Sequence, residues 1–467
     1  MYYDNLYQMC GYSQEEIEEQ RPRIEKFLTR IQADNEEAIK HAEETTKINF
    51  DISLTGTQKF LRLFMKEAID AALAKEEYDK VIYVNLPNFF VFAQPIVYAI
   101  KEQGLNIFCG PNDWCWQILG PVFDKTNWLI ESAELMGQTA GRAHCSHYQV
   151  TAGLSATGVI DTPDLVIAAR LFCDQSGESD EMTAQLHGFP IVNVDFLNDF
   201  SWDAWPNYDE HGIEYVKERI IEVYREIKER MGIDVNELHI IQALEYGAKL
   251  TMGWQNIVGL MGKADPQPVS QSELTLPFYA WSFANHYEKE YIDAFNTLMK
   301  NIHKKIRKGE GILPKGAPKV YTMIRTNCDL TPMQEIEKLG LAMPAMFFDW
   351  LPPEAMEGRF DDIYMVIAEA MYRVPIFGGP KVNIDYWEKV AKMHNVDGII
   401  MMYAFACRPW TIPPLMAKKE LQERLGIPVL VVEGDSWDTR NYSAGQLRTR
   451  IESFAEVLKM RKAAQAA

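Results

Sequence analysis

Continuous apolar runs separated by helix-like segments constrain the fold of this chain more than any other feature of its sequence. The runs fall into two blocks: 80–86, 105–109, 164–173 and 190–196, then 319–328, 344–350, 397–407 and 427–435. Continuous apolar strands alternating with helices are typical of a parallel sheet covered on both faces. The sequence therefore predicts an α/β protein with two doubly wound, mostly parallel-sheet domains joined by a helical segment.

The order of these segments predicts four regions. Residues 1–50 carry apolar positions at helical spacing among charges, which indicates an N-terminal helical arm. We assign residues 51–207 to the first α/β domain and residues 208–315, where the pattern is helical throughout, to the helical segment. The second α/β domain then covers residues 316–467.

The negative charge of the chain disfavours nucleic acid and anionic membranes as partners. Its formal net charge is -19, which disfavours nucleic acid and anionic membranes, because both require a basic surface. No apolar run reaches the roughly 18 residues of a membrane span. The N-terminus is polar and acidic and lacks the features of a signal peptide. We expect a cytoplasmic protein with neither nucleic acid nor membrane as a partner.

Several of the seven cysteines lie where ligands bind in α/β proteins. They are Cys10, Cys109, Cys115, Cys145, Cys173, Cys328 and Cys407. An odd number without a secretion signal argues against a disulfide framework, and no CxxC pair is present. Cys109, Cys173, Cys328 and Cys407 end apolar runs, and parallel strands bind ligands at their carboxyl ends.

A single cysteine in such a place also fits a small buried hydrophobic residue. As a set, these thiols fit an iron–sulfur cluster, zinc or copper(I), because thiolates are soft ligands. Their wide separation favours a cluster held between domains over a zinc knuckle, although a zinc-binding α/β protein stays an alternative. Three thiolates on a cubane leave one iron open, whereas four close it and restrict it to electron transfer.

Four segments carry a resemblance to a known family: CSHYQ (145–149), LVIAARLFCDQSGE (165–178), GIIMMYAFACRPW (398–410) and GIPVLVVEGDSWDTRNYSAGQLRTRIESFAEVLK (426–459). Together they resemble the 2-hydroxyacyl-CoA dehydratase and benzoyl-CoA reductase family. The resemblance implies two α/β domains holding a [4Fe–4S] cluster through three cysteines, here Cys145, Cys173 and Cys407. It also implies an acyl-CoA thioester as substrate.

The same resemblance implies partners. The chain would pair with a related iron–sulfur subunit or with itself. A separate ATP-dependent iron–sulfur activator would supply single low-potential electrons, giving a ketyl-type radical on the substrate. No GxxxxGK[ST] phosphate loop occurs in the sequence, so ATP coupling would come from another chain.

The branch of the family depends on finer features. The chain length and the segments RKGEGILPKG and RTRIESFAEVLKMRK look closer to benzoyl-CoA reductase subunits, so we predict the iron–sulfur subunit of an oxygen-sensitive acyl-CoA reductase. A 2-hydroxyacyl-CoA dehydratase subunit is one alternative. A non-catalytic electron-transfer subunit with a closed cluster is another. Cys328 bears on the last, since it is either a spare thiol or a fourth ligand.

Candidates for proton transfer and for binding coenzyme A follow from their positions. His144, His147 and Glu178 flank proposed ligands and are the acid–base candidates, although each also fits a structural hydrogen-bonding role. Arg440 and Arg448 are candidates to bind the CoA phosphates, and Arg408 to stabilise negative charge on the cluster or substrate. Ordinary ion pairs are the alternative for all three arginines.

Overall fold

The structure is a computed structural model and describes residues 1–85, 92–138, 145–169, 173–195, 210–323, 329–345, 362–372, 379–404, 407–435 and 437–466. These residues form eighteen α-helices and eight strands in two sheets. Among them, no helix combines the length and the apolar character that crossing a bilayer requires.

The N-terminal arm consists of three helices, and the second of them packs against a fourth, longer helix. They are α1 (Asp4–Met9), α2 (Gln14–Arg30), α3 (Glu36–Asn49) and α4 (Thr55–Glu77). Helix α2 begins with a capping box, in which the Ser13 hydroxyl accepts from the Glu16 N–H and the Glu16 carboxylate accepts from the Ser13 N–H.

The first sheet contains four parallel strands in the order β2-β1-β3-β4. The strands are β1 (Lys80–Val84), β2 (Ile107–Gly110), β3 (Leu165–Ala169) and β4 (Ile191–Val194). The helices that accompany it are α5 (Ala93–Gln103), α6 (Asp113–Leu119), α7 (Thr126–Leu135), α8 (Ser146–Thr157) and α9 (Asp174–His187).

Four helices follow the first sheet in the sequence and precede the second, and together they form a layer. They are α10 (Glu210–Met231), α11 (Glu237–Lys263), α12 (Gln271–Phe283) and α13 (Glu288–Lys308). Helix α13 packs against α4 of the first half, and α11 contacts both α5 and β6 (Ala342–Ala345). The layer therefore joins the two sheets into one packed unit.

The second sheet repeats the strand order of the first, here β6-β5-β7-β8, and is again parallel. Its other strands are β5 (Lys319–Met323), β7 (Gly398–Ala404) and β8 (Val429–Gly434). The helices are α14 (Thr331–Lys338), α15 (Ile363–Tyr372), α16 (Pro380–Met393), α17 (Arg408–Leu425) and α18 (Ala444–Ala466), with a 3-10 turn at Thr439–Asn441.

Both sheets are buried on both faces. Along β1, Val81 and Tyr83 face one hydrophobic core while Ile82 and Val84 face another. The strand β7 alternates in the same way between these two cores. Side chains of successive strand residues point to opposite faces, so this division places helices on each side of each sheet.

The predicted fold class is confirmed, and each of the eight predicted apolar runs overlaps a strand. Helices α6, α7 and α15 were not predicted. The division at residues 50, 207 and 315 stays a prediction. The third strand of each sheet along the chain ends shortly before a proposed ligand, Cys173 in the first sheet and Cys407 in the second.

Candidate metal centre

The three proposed cluster ligands occupy equivalent places in the local structure. Cys145, Cys173 and Cys407 each immediately precede the first residue of a helix, α8, α9 and α17 respectively, and each has an extended backbone. Cys173 and Cys407 also follow the third strand of their own sheet. A helix N-terminus carries partial positive charge, which favours a thiolate or another anion beside it.

The three thiols lie near one another although they come from different sheets. Burial raises the pKa of the Cys145 thiol well above its usual value, and the neighbouring Cys407 and Cys173 thiols raise it further. The backbone N–H of Tyr148 opposes this shift by donating to the Cys145 sulfur. Three thiols that hinder one another's ionisation form a donor set whose thiolates a cationic iron centre would stabilise.

Within the described part of the chain, no three His, Cys, Asp or Glu side chains are arranged as ligands of a single metal ion. A cubane does not require that arrangement, because each thiolate binds a different iron atom. The soft, thiol-only donor set at three helix N-termini therefore fits an iron–sulfur cluster.

The remaining described cysteines belong to the hydrophobic core. Cys10, Cys109 and Cys115 are at most 1% exposed, and burial raises the pKa of Cys10 to about 12. Cys109 lies inside β2, not beyond its end. None of the six described cysteines forms a disulfide. Cys328 lies outside the described residues, so its role as spare thiol or fourth ligand stays open.

A buried carboxylate from the second sheet reaches the segment that carries Cys145. Asp435 directly follows β8 and accepts a hydrogen bond from the hydroxyl of Ser146, the first residue of α8. It also accepts from the backbone N–H groups of Trp437 at 2.9 Å and Asp438 at 3.2 Å, and from the Asn441 amide at 2.9 Å. Burial raises the pKa of the Asp435 carboxyl, and these donors oppose the shift.

Aromatic rings from both halves cover the buried side of this segment. The ring of His147 lies 4.8 Å from Trp437 and 5.5 Å from Trp116, measured between ring centroids. The Trp116 ring also contacts Tyr279 of α12 at 6.2 Å. All four side chains are buried, so they form a dry aromatic layer against the first turn of α8.

A buried carboxyl group fixes one of these rings. Asp113 is 1% exposed and accepts a hydrogen bond from the Trp116 indole N–H at 2.6 Å. Its other carboxylate oxygen has no hydrogen-bond partner among the described residues. Burial raises the pKa of Asp113 to about 7, so the group is partly protonated near neutral pH.

A small cavity is lined by Tyr148 and by several polar side chains. Its volume is about 10 Å³, close to the space that one water molecule needs. Asn85 and Asn112 line it, and their buried amide oxygens have no partner among the described residues. The Asn85 amide nitrogen donates to Asp180 at 2.6 Å on the cavity wall. A water molecule donating to both amide oxygens would satisfy them.

The predicted acid–base residues occupy different environments. His147 is 6% exposed, within the aromatic layer, whereas Glu178 is exposed on α9. His144 lies outside the described residues. Of the two described candidates, His147 borders the ligand segment from the protein interior, and the catalytic role of all three stays a prediction.

The predicted arginines also differ. The Arg440 guanidinium donates to the Asp438 carboxylate at 2.9 Å and to Glu134 of α7 at 2.9 Å. Arg448 is exposed and makes one ion pair, 3.5 Å from Glu335. The side chain of Arg408 lies outside the described structure. Among the described residues, a CoA phosphate would compete with three carboxylates at Arg440, those of Asp438, Glu134 and Glu131, and with one at Arg448.

Sequence reasoning did not assign a role to Asp435, Ser146 or Trp437. Their signal was an acidic residue directly after an apolar strand, in VVEGDSW, and a serine directly after a proposed ligand. Both lie within segments used for the family resemblance.

Known proteins resemble this chain over most of its length. A family model described as 2-hydroxyglutaryl-CoA dehydratase, D-component, matches residues 118–458, which include all three proposed ligands. The alpha subunit of (R)-2-hydroxyglutaryl-CoA dehydratase from Acidaminococcus fermentans is 20% identical over 63% of this chain, which spans 60% of that relative's length. The (R)-phenyllactyl-CoA dehydratase alpha subunit of Clostridium sporogenes is 22% identical over 72% of this chain and 82% of its own. A benzoyl-CoA reductase subunit of Thauera aromatica is 19% identical over 72% and 80% respectively.

Proposed function

Because the chain belongs to the 2-hydroxyglutaryl-CoA dehydratase D-component family, we propose that it is the iron–sulfur subunit of an acyl-CoA reductase of the benzoyl-CoA reductase type. One observation supports the metal centre of this proposal: Cys145 and Cys173 of the first half and Cys407 of the second lie near one another, each directly before a helix. No single domain supplies the whole donor set, which suits a cluster held in the cleft between them.

In this proposal Cys145, Cys173 and Cys407 hold a [4Fe–4S] cluster. When bound, it supplies single electrons of low potential to an acyl-CoA thioester. The helix N-termini of α8, α9 and α17 stabilise the negative charge of the thiolates. The buried rings of Trp116, His147 and Trp437 form a dry aromatic layer against the first turn of α8.

The substrate side of the proposal depends on local cations, since the chain as a whole carries a formal charge of -19. Arg448 is the more available of the two described arginines for a CoA phosphate, because its side chain is exposed and its ion pair with Glu335 is 3.5 Å long. Arg440 would first have to leave Asp438 and Glu134. Glu178, exposed one turn into α9 after Cys173, would exchange protons with solvent.

The proposal that this chain has partner subunits is supported by its relatives, each of which is named as a subunit. We propose a related iron–sulfur subunit or a second copy as the permanent partner, and a separate ATP-dependent iron–sulfur activator as the electron donor. We also propose that this complex works in the cytoplasm.

A subunit of a 2-hydroxyacyl-CoA dehydratase is the second candidate. The matching family model and two of the relatives above are named for dehydratases, at identities similar to that of the reductase relative. Both candidates use the same donor set, so they differ in substrate and not in the metal centre.

Iron and sulfide analysis of the anaerobically purified chain tests the metal centre. We expect Cys145→Ser, Cys173→Ser and Cys407→Ser each to lose most of the iron. Cys10→Ser is the matched control, because Cys10 is a buried core thiol and should keep the parental iron content. Parental iron in Cys407→Ser would remove that residue from the site.

Two further measurements separate the alternatives. Cys328→Ser should keep its iron and its activity if three thiolates suffice, whereas loss of the cluster would favour the closed, electron-transfer subunit. The assembled complex with its activator and ATP is then assayed on benzoyl-CoA and on a 2-hydroxyacyl-CoA. Ring reduction supports the reductase proposal, and water elimination in its place supports the dehydratase.

A further inference from the structure

We propose that Asp435 is a positioning residue that fastens the Cys145 segment of the first domain to the second domain. The inference rests on the proposed function insofar as Cys145 is taken as a cluster ligand. Its structural part, a carboxylate that bridges two domains at this thiol, stands on hydrogen bonds alone.

On the side of the second domain, the carboxylate shapes the loop that follows β8. One oxygen of Asp435 accepts from the backbone N–H groups of Trp437 and Asp438, and the other accepts from the Asn441 amide. The side chain is 2% exposed, so these bonds form away from competing water. The carboxylate therefore helps to fix the conformation of the loop.

On the side of the first domain, the same carboxylate reaches the first turn of α8. The oxygen that accepts from Trp437 also accepts from the hydroxyl of Ser146, which is 4% exposed. Ser146 is the next residue after Cys145, so the hydrogen bond restrains the backbone that aims the thiol. The contact between the Trp437 and His147 rings holds the following residue of the same turn.

The carboxylate also brings negative charge to the Cys145 segment. The Asp435 oxygen that accepts from Ser146 is held at the residue next to the proposed ligand. Net charge near a cluster is one of the quantities that set its reduction potential. Asp435 would thus hold the potential at a lower value than a neutral residue in the same place.

The loop has other attachments to the first domain, which makes local tests feasible. Arg440 pairs with Glu134 of α7, and the Asn127 amide donates to Thr439 at 3.2 Å. Removing one hydrogen bond at Asp435 should therefore loosen the Cys145 segment without releasing the whole loop.

Two variants separate the hydrogen bond from the charge. Ser146→Ala removes the bridge and keeps the carboxylate. Asp435→Asn removes the charge and leaves an amide oxygen that can still accept from Ser146. Glu337→Gln is the matched control, because Glu337 is a half-buried carboxylate that likewise accepts from a serine hydroxyl, a backbone N–H and a side-chain amide, those of Ser270, Gln271 and Gln267.

The bridge is tested on the metal-free full-length chain by the rate at which iodoacetamide alkylates Cys145, followed by mass spectrometry. We expect a several-fold faster reaction in Ser146→Ala and the parental rate in Glu337→Gln. Parental reactivity in Ser146→Ala, or an equal increase in the control, would overturn the bridge.

The charge is tested on the anaerobically loaded chain by redox titration. We expect the midpoint potential of Asp435→Asn to be more positive than that of the parent and of Glu337→Gln. An unchanged potential would overturn the electrostatic role. A parent chain that takes up no iron would refute the proposed function, and the alkylation result would still decide whether the bridge exists.

Discussion

Gly153 lets helices α7 and α8 approach closely, and replacing it with alanine should test that approach. A Cβ atom at this position would lie 2.7 Å from the carbonyl carbon of Leu129 in α7 and 2.8 Å from its Cα. Both distances are well inside the 3.4 Å at which ordinary van der Waals contact begins. The obstructing atoms belong to the backbone, so no side-chain rotation can relieve the overlap and α7 itself must move.

The expected size of the effect follows from two opposing contributions. Alanine stabilises a helix interior by roughly 0.5–1 kcal/mol relative to glycine. Overpacking a buried contact costs roughly 1–3 kcal/mol. Gly259→Ala is the matched control, because Gly259 lies inside α11 with no atom within 4 Å of the new Cβ. The difference between the two variants therefore isolates the cost of overpacking.

The assay is urea unfolding of the metal-free chain. Variants are compared only where the slope of the free energy of unfolding against urea concentration equals that of the parent. We expect Gly259→Ala to unfold at higher urea than the parent and Gly153→Ala to be about 1–3 kcal/mol less stable than that control. Helix α8 begins directly after Cys145, so Gly153→Ala should also lower the iron content of the loaded chain. Equal stabilisation by both substitutions would refute the close approach of α7 and α8.

Three further outcomes follow from particular side chains. The pKa of Asp113 is about 7 in the folded chain, whereas that of an exposed aspartate is about 3.8. Between these values the folded state binds the proton and the unfolded state does not, so the stability of the parent falls as pH rises. Asp113→Asn should therefore gain stability relative to the parent between pH 5 and pH 8 in urea unfolding, and an equal difference at both would contradict this. Arg448→Ala should change the free energy of unfolding by less than about 0.5 kcal/mol and weaken acyl-CoA binding roughly tenfold. Arg440→Ala should instead lower the free energy of unfolding by about 1 kcal/mol, because its ion pairs are lost. Glu178→Gln should fold and load iron normally but turn over at least ~100-fold more slowly, and parental turnover would remove Glu178 as a proton donor.

The strands could be predicted from the sequence because each lies in a mostly apolar run that is separated from the next by a helix-like segment. The strand β7, for example, lies within the predicted run 397–407 and ends before Cys407. Helix α6 could not be predicted, because all seven of its residues are buried and no polar face creates a helical period. The prediction of the family from motifs around three cysteines and the closing segment is confirmed by the matching family model.

The site could be predicted only where it follows a strand. Cys173 and Cys407 come after the third strand of their sheets, and parallel strands end at a common edge. Cys145 follows no strand. Its position depends on how α7 and α8, which lie between β2 and β3 in the sequence, pack against each other. The link from Asp435 to Ser146 joins residues 289 positions apart, so no local pattern could reveal it.

The repeated strand order has a consequence for how the protein is made. Cys173 and Cys407 occupy corresponding places in two sheets of the same topology, and the first half also carries the remaining member of the three proposed ligands, Cys145. Synthesis from the N-terminus brings two of the three proposed ligands out of the ribosome while β7 has yet to leave it. Iron delivered at that stage would meet an incomplete set of thiolates. Insertion of the proposed cluster would thus wait for translation to pass Cys407.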